Sequence, residues 1–145
     1  MIRLLVILLL MNCVPACVKY DAHRDAELVN ADRSFNEKKY GEAVSAYDAI
    51  ARDAPGSERG ADALFRSAFT MAYYDNRQKD YARALQEFDE FLRVYPNNEK
   101  APDAQNWRYM LQMVLDLKKE NGRLLQSINK LKQIDIRHEE RRKAK

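Results

Sequence analysis

Apolar side chains recur along this chain at helical spacings. Tyr40, Ala43, Tyr47 and Ile50 stand three, four and three residues apart, and Pro55 follows them. Tyr81, Ala84, Phe88, Phe91 and Pro96 repeat the series, every pair offset by 41 residues. On an α-helix these spacings line the side chains along one face, and proline, which lacks an N–H, closes the helix. Each copy therefore predicts one helix with a single apolar face, and such a face needs a partner helix before it. Ala22 to Lys38 and Ser57 to Asn76 are the candidate partners. The punctuation agrees: Asp53-Ala54-Pro55-Gly56-Ser57 ends one helix and offers Ser57 as the N-cap of the next. Tyr95-Pro96-Asn97-Asn98 and Ala101-Pro102-Asp103 do the same before a fifth helix.

From Pro102 onward no proline occurs, and only Gly122 weakens a helix that runs to Lys143, roughly 60 Å at about 1.5 Å per residue. Its first part, with Ala104, Trp107, Met110, Leu111 and Val114, is expected to cap the preceding helices. Its second part spaces Val114, Leu117, Asn121, Leu124, Ile128 and Leu131 alternately by three and four, a heptad seam. Val114, Asn121 and Ile128 take the a positions and Leu117, Leu124 and Leu131 the d positions, with Asn121 the polar a residue that fixes register and strand number. The expectation is a short coiled coil, a homodimer being one use of it; a free helix is the alternative. The end, Arg137 to Lys145, is rich in basic residues. These suit the C-terminal end of a helix dipole in solvent, or contact with lipid phosphate or an acidic partner.

At the other end, Arg3 and the apolar run Leu4 to Met11 precede Val14-Pro15-Ala16-Cys17. Eight apolar residues are too few to span a bilayer, so the segment reads as a removable export signal. Val14, Ala16 and Cys17 resemble the bacterial lipobox, in which a small residue precedes a cysteine whose thiol is acylated; Pro15 departs from it. The rival Cys13 follows the bulky Asn12. The resemblance implies lipidation of Cys17 and anchoring in the membrane, and Val18 in place of Asp after the cysteine points to the outer membrane. Ordinary secretory cleavage after Ala16, without lipid, is the alternative. Once the leader is gone the chain keeps a single cysteine, which excludes an intrachain disulfide.

Composition adds exclusions. Four glycines and four prolines in 145 residues favour an all-α chain. The net charge of +3, lowered by one when Arg3 leaves, is too small to imply nucleic acid. No phosphate-cradling glycine loop, CxxC, HExxH or GxSxG occurs, and His23 and His138 lie far apart in sequence. No catalytic residue, metal ligand or cofactor site is expected. Asp89-Glu90 reads as solvated surface, and the chain is read as no enzyme.

The two copies, Lys39-Tyr40-Gly41-Glu42-Ala43 and Asp80-Tyr81-Ala82-Arg83-Ala84 with the residues after them, resemble the second helix of a tetratricopeptide (TPR) repeat. Ala31 and Ala72 would then take the small crossing position of the first helices. Ile50 and Phe91 stand where alanine is usual. The period of 41 exceeds the roughly 34 residues of the standard repeat, and is similar to the elongated repeats of the BamD-type envelope lipoproteins. The resemblance implies about two and a half TPR-like helical hairpins followed by a long helix. It divides the chain into a signal peptide (1–16), a lipidated tether (17–21), a repeat domain (22–115) and a coiled-coil helix with a basic tail (116–145). It implies an envelope scaffold or adaptor on the outer membrane, facing the periplasm, that holds protein partners in a groove lined by first helices. Arg66, Tyr73, Tyr74 and Trp107 are the candidate groove residues, because aromatics and arginine dominate interface energetics. Two narrower readings stay open: a component of outer-membrane protein assembly, and an accessory lipoprotein of an envelope-sensing two-component system.

Overall fold

The computed structural model describes residues 26–144, which form five α-helices and no strand. They are α1 (26–36), α2 (Tyr40–Asp53), α3 (Glu58–Ala72), α4 (Tyr81–Val94) and α5 (Ala101–Lys143). The leader, Cys13, Cys17 and His23 lie outside the described residues.

Burial follows the apolar spacing. Tyr40, Ala43, Val44, Tyr47 and Ile50 form the buried face of α2, and Ala84, Phe88 and Phe91 that of α4. Ile50 and Phe91, at the two positions where alanine is usual, are both buried. One core holds Ala31, Ala43, Tyr47, Ile50 and Ala63, with Leu28 and Phe35 packed against it. A second holds Val44, Ala61, Ala68, Met71, Phe88, Phe91, Ala104 and Leu111. Fully burying rings such as Phe88 and Phe91 is worth about 1.5–3 kcal/mol each. Contacts between α2 and α3, α3 and α4, and α4 and α5 give a stack in which each helix packs on the one before it.

The turns are built as the punctuation predicts. Ser57 caps α3: its hydroxyl accepts from the Gly60 N–H at 3.0 Å and donates to the Ala54 carbonyl at 2.7 Å. Asp80 caps α4 through Oδ1, which accepts from the amides of Ala82 and Arg83. Pro102 sits in the first turn of α5. Gly56 has φ +73°, a conformation open to glycine at little cost.

Three expectations shift. The second partner helix ends at Ala72, not Asn76. Tyr73 leaves the helix with ψ 136°, and Asn76 folds back, its Nδ2 donating to the Thr70 carbonyl at 3.0 Å while Oδ1 accepts from the Gln78 N–H. Residues 73–80 thus carry the extra length of the repeat as a self-satisfied loop, and Ala72 closes the helix end. In α5, Ala104 and Leu111 are buried while Met110 is 45% exposed, because Met110 points away from the face that meets α4. Finally, Ala61 and Ala68, both fully buried, supply close packing along α3 that the echo of Ala31 does not indicate.

Candidate functional site

The predicted groove residues gather around α3. Tyr73 and Tyr74 have ring centroids 4.8 Å apart, Tyr73 meets Phe69 at 5.5 Å, and Phe69 meets Trp107 of α5 at 5.4 Å, edge to face. Trp107 in turn stacks on Phe88 at 6.2 Å, nearly parallel. The rings therefore form one row from the α3–α4 loop to α5, extended by Phe35 and Tyr40, which touch Tyr73 at 5.0 and 5.7 Å. Such contacts add about 0.5–1.5 kcal/mol per pair beyond area burial. Tyr73 and Trp107 are half-buried in this row, whereas Tyr74 is 77% exposed. Tyr74 is the most exposed ring of the row.

Arg66 stands one turn before Phe69 on α3. It reaches α1, donating to Asp32 Oδ1 at 2.8 Å, and pairs with Asp62 at 3.2 Å. The same Asp32 oxygen accepts from the Tyr47 hydroxyl at 2.5 Å. Burial, with Asp32 beside it, pushes the Tyr47 phenol far above its ordinary range, so Tyr47 stays a donor. Asp62 also takes Lys100 at 2.6 Å, which links α3 to the start of α5. A shallow hollow of about 240 Å³ opens here between α1 and α3, lined by Asp32, Phe35, Asn36, Tyr47, Arg66, Phe69 and Thr70. Of the four predicted groove residues only Arg66 lines it; Tyr73, Tyr74 and Trp107 belong to the adjoining row of rings. Phe35, Phe69, Asp32 and Asp62 complete the surface, and sequence reasoning did not single them out. Phe35 and Phe69 stood in the expected first helices, but nothing in a single spacing shows which rings face across helices.

Beside the loop, Lys38 Nζ meets Asp75 at 2.7 Å and the Tyr40 hydroxyl donates to the same carboxylate at 3.3 Å. Lys38 holds the Asp75 carboxyl below its ordinary range. This pins residues 73–80 to the turn between α1 and α2, which keeps Tyr73 and Tyr74 at the rim of the hollow.

The predicted seam lies on α5 outside the stack. Lys118, with its ammonium 4.5 Å from the centre of the Tyr81 ring, holds the helix to α4. Val114 is half-buried. Leu117, Leu124, Ile128 and Leu131 are 62%, 52%, 58% and 62% exposed, and Asn121 is exposed with them. Asp89 and Glu90 lie at the surface as expected, paired with Arg108 and Arg93. Among the described residues no group of His, Cys, Asp or Glu is placed to hold a metal ion, and no helix is long and apolar enough to cross a membrane.

Set against known proteins, residues 22–141 match the model of the YfiO family, described as an outer membrane lipoprotein. No curated protein and no solved structure matches the chain. The family match runs from just before α1 to the last turn of α5, so it takes in the repeats and the long helix together. With its stacked hairpins and its long terminal helix, the chain belongs to the YfiO family of outer membrane lipoproteins.

Proposed function

We propose that this protein is a noncatalytic scaffold of the bacterial envelope, tethered to the outer membrane through a lipid on Cys17, facing the periplasm and holding a protein partner against the ring-lined face of its repeats. The observation that carries the reading is the row Tyr74, Tyr73, Phe69 and Trp107 beside the Arg66 hollow. Aromatic rings fixed by their neighbours present contact area at little entropic cost, and Arg66 adds donors whose charge Asp32 and Asp62 already balance. Such a surface suits an extended peptide or a partner helix better than a charged small molecule. Membership of a family of outer membrane lipoproteins supports the location.

The test is site-specific photo-crosslinking in intact cells. A crosslinker at Tyr74 is expected to give a discrete protein adduct, and one at Asp53, at the end of α2, none. Adding Phe69→Ala or Arg66→Glu should weaken the adduct about tenfold or more while leaving the helical circular dichroism unchanged. Cys17→Ser should shift the chain from the membrane fraction to the soluble fraction. Equal adducts from both positions would defeat the groove reading, and unchanged membrane retention would defeat the tether. A role in outer-membrane protein assembly is the second reading, favoured by the extent of the family match; a partner belonging to that machinery would identify it.

A further inference from the structure

We propose that a second copy of this chain covers the exposed seam of α5, running antiparallel, so that the far half of each α5 takes the place of the helix missing from the other copy's third repeat. The inference concerns α5 and is independent of what the groove holds.

The stack is open at one end. Two hairpins, α1 with α2 and α3 with α4, are complete. The start of α5 occupies the place of a third first helix, its Ala104 and Leu111 buried toward α4. Its other apolar side chains, Met110, Met113 and Leu117, stay 45%, 47% and 62% exposed. In such stacks the two helices of a hairpin run antiparallel, and the second buries the face that the first leaves open. The helix that belongs there must therefore run against α5.

The far half of α5 has the side chains for this. Leu124, Leu125, Ile128, Leu131 and Ile134 are all large, apolar and at least 40% exposed. Antiparallel heptads set a against d, and one alignment pairs the outer layers apolar to apolar, Val114 opposite Leu131 and Leu117 opposite Ile128, with the twofold axis between Gly122 and Arg123 and Asn121 opposite Leu124 on either side of it. The same alignment brings Met113 beside Ile134. The parallel alignment instead sets Met113 beside Lys118, Glu120 beside Leu125 and Ile134 beside Glu139, three kinds of apolar flank against charge where the antiparallel alignment has one, Leu125 beside Lys118. It does give Asn121 its own copy as neighbour, but that is the one layer it improves.

Charge decides between the two. Residues 26–115 carry 12 Lys and Arg against 15 Asp and Glu, whereas residues 116–145 carry 10 against 5. A parallel pair would stack two basic ends on each other. The antiparallel pair parts the two basic ends and lays each beside the mixed charges Lys100, Asp103 and Arg108 of a body whose net charge is negative.

Two variants of the full chain in detergent, Leu117→Cys and Ile128→Cys, provide the test when oxidised separately and mixed, with bridged peptides mapped by mass spectrometry. The mixture is expected to give the 117–128 bridge, and neither variant alone a bridge to itself at the new position. A 117–117 bridge would mean a parallel pair and overturn the proposal. The parent chain should sediment as a dimer that Leu124→Asp, on an exposed face where it cannot unfold the stack, turns into a monomer. A parent chain that is monomeric at every concentration, or a dimer indifferent to Leu124→Asp, would also overturn it. Loss of the Tyr74 adduct would leave this result untouched, which keeps the two readings separable.

Discussion

Gly60 sits in the first turn of α3, where the helix passes closest to the turn before it. A Cβ there would run into the Ala54 carbonyl oxygen and stand 2.9 Å from the Tyr95 hydroxyl, and the first of these is backbone that cannot move aside. Gly60→Ala is expected to cost about 2 kcal/mol or more in urea unfolding. Tyr95 adds a second demand, because its hydroxyl accepts from the Gly56 N–H at 3.1 Å. Tyr95→Phe should cost about 1 kcal/mol. Glu87 is shifted the opposite way from most carboxylates. Burial raises it, the neighbouring Asp48 adds to the rise, Ser67 and Arg83 pull it back in part, and Oε2 has no hydrogen-bond partner. Folding therefore favours the protonated acid, and stability falls as pH climbs from the unfolded carboxylate range to the raised folded one. Glu87→Gln should flatten that decline and raise the melting temperature at pH 7 relative to its value in mild acid, read by thermal unfolding across the weakly acidic range. Of these residues, sequence exposed only the caps and the turn. Ser57 announces itself because a hydroxyl before a helix has one common use, whereas Tyr95 stands opposite Ala54 in the 41-residue echo and has no counterpart to mark it. Glu87 and Asp48 looked like any charges on a helix until α2, α3 and α4 came together around Ser67 and Arg83.

The helices α2 and α4 were legible because their buried faces depend on spacing alone, and spacing is what a sequence records. The end of α3 was not. Tyr73 to Asp80 continues a plausible helical composition, and the helix stops where the Tyr73 N–H and the Asn76 side chain both donate to the Thr70 carbonyl. Asn76→Ala leaves that carbonyl with only the Tyr73 N–H at 3.3 Å and should cost about 1 kcal/mol, loosening the loop that carries Tyr73 and Tyr74. Along α5 the length was legible and the burial only partly so. Leu111 faces α4 and Met110 does not, a difference of one residue that depends on how the helix is rotated in the stack. Beyond Lys118 almost every residue is exposed, and helical stretches of that kind rest on packing more than on propensity. Amide hydrogen exchange over residues 119–138 is therefore expected to be fast in dilute protein and markedly slower at high concentration, while α2 to α4 stay protected throughout. Equal protection at both concentrations would show that no second helix is recruited.

At the scale of the whole molecule, an acidic body and a basic arm make association sensitive to salt. Raising NaCl from about 0.05 to about 0.5 M shortens the screening length several-fold, and sedimentation should show the proposed dimer weakened by about tenfold or more. An association held by apolar contacts alone would hold firm or tighten. The hollow beside Arg66 was legible only in part: α3 supplies Arg66, Phe69 and Thr70, but Asp32 and Phe35 come from α1, and no spacing within α3 names them. The long helix has one more consequence, which concerns distance and phase. The 25 residues of α5 from Lys119 to Lys143 form a rod of nearly 40 Å at about 1.5 Å per residue, so whatever grips its tip is held at a set reach from the stack and at a set compass bearing. Taking out seven residues from the middle would shorten that reach by about 10 Å and turn the tip by only some 20°. Taking out five would shorten it less and swing the tip nearly halfway round. If the arm serves as a spacer, the first change costs reach alone; if what matters is the direction it points, the second is the more damaging although it removes less.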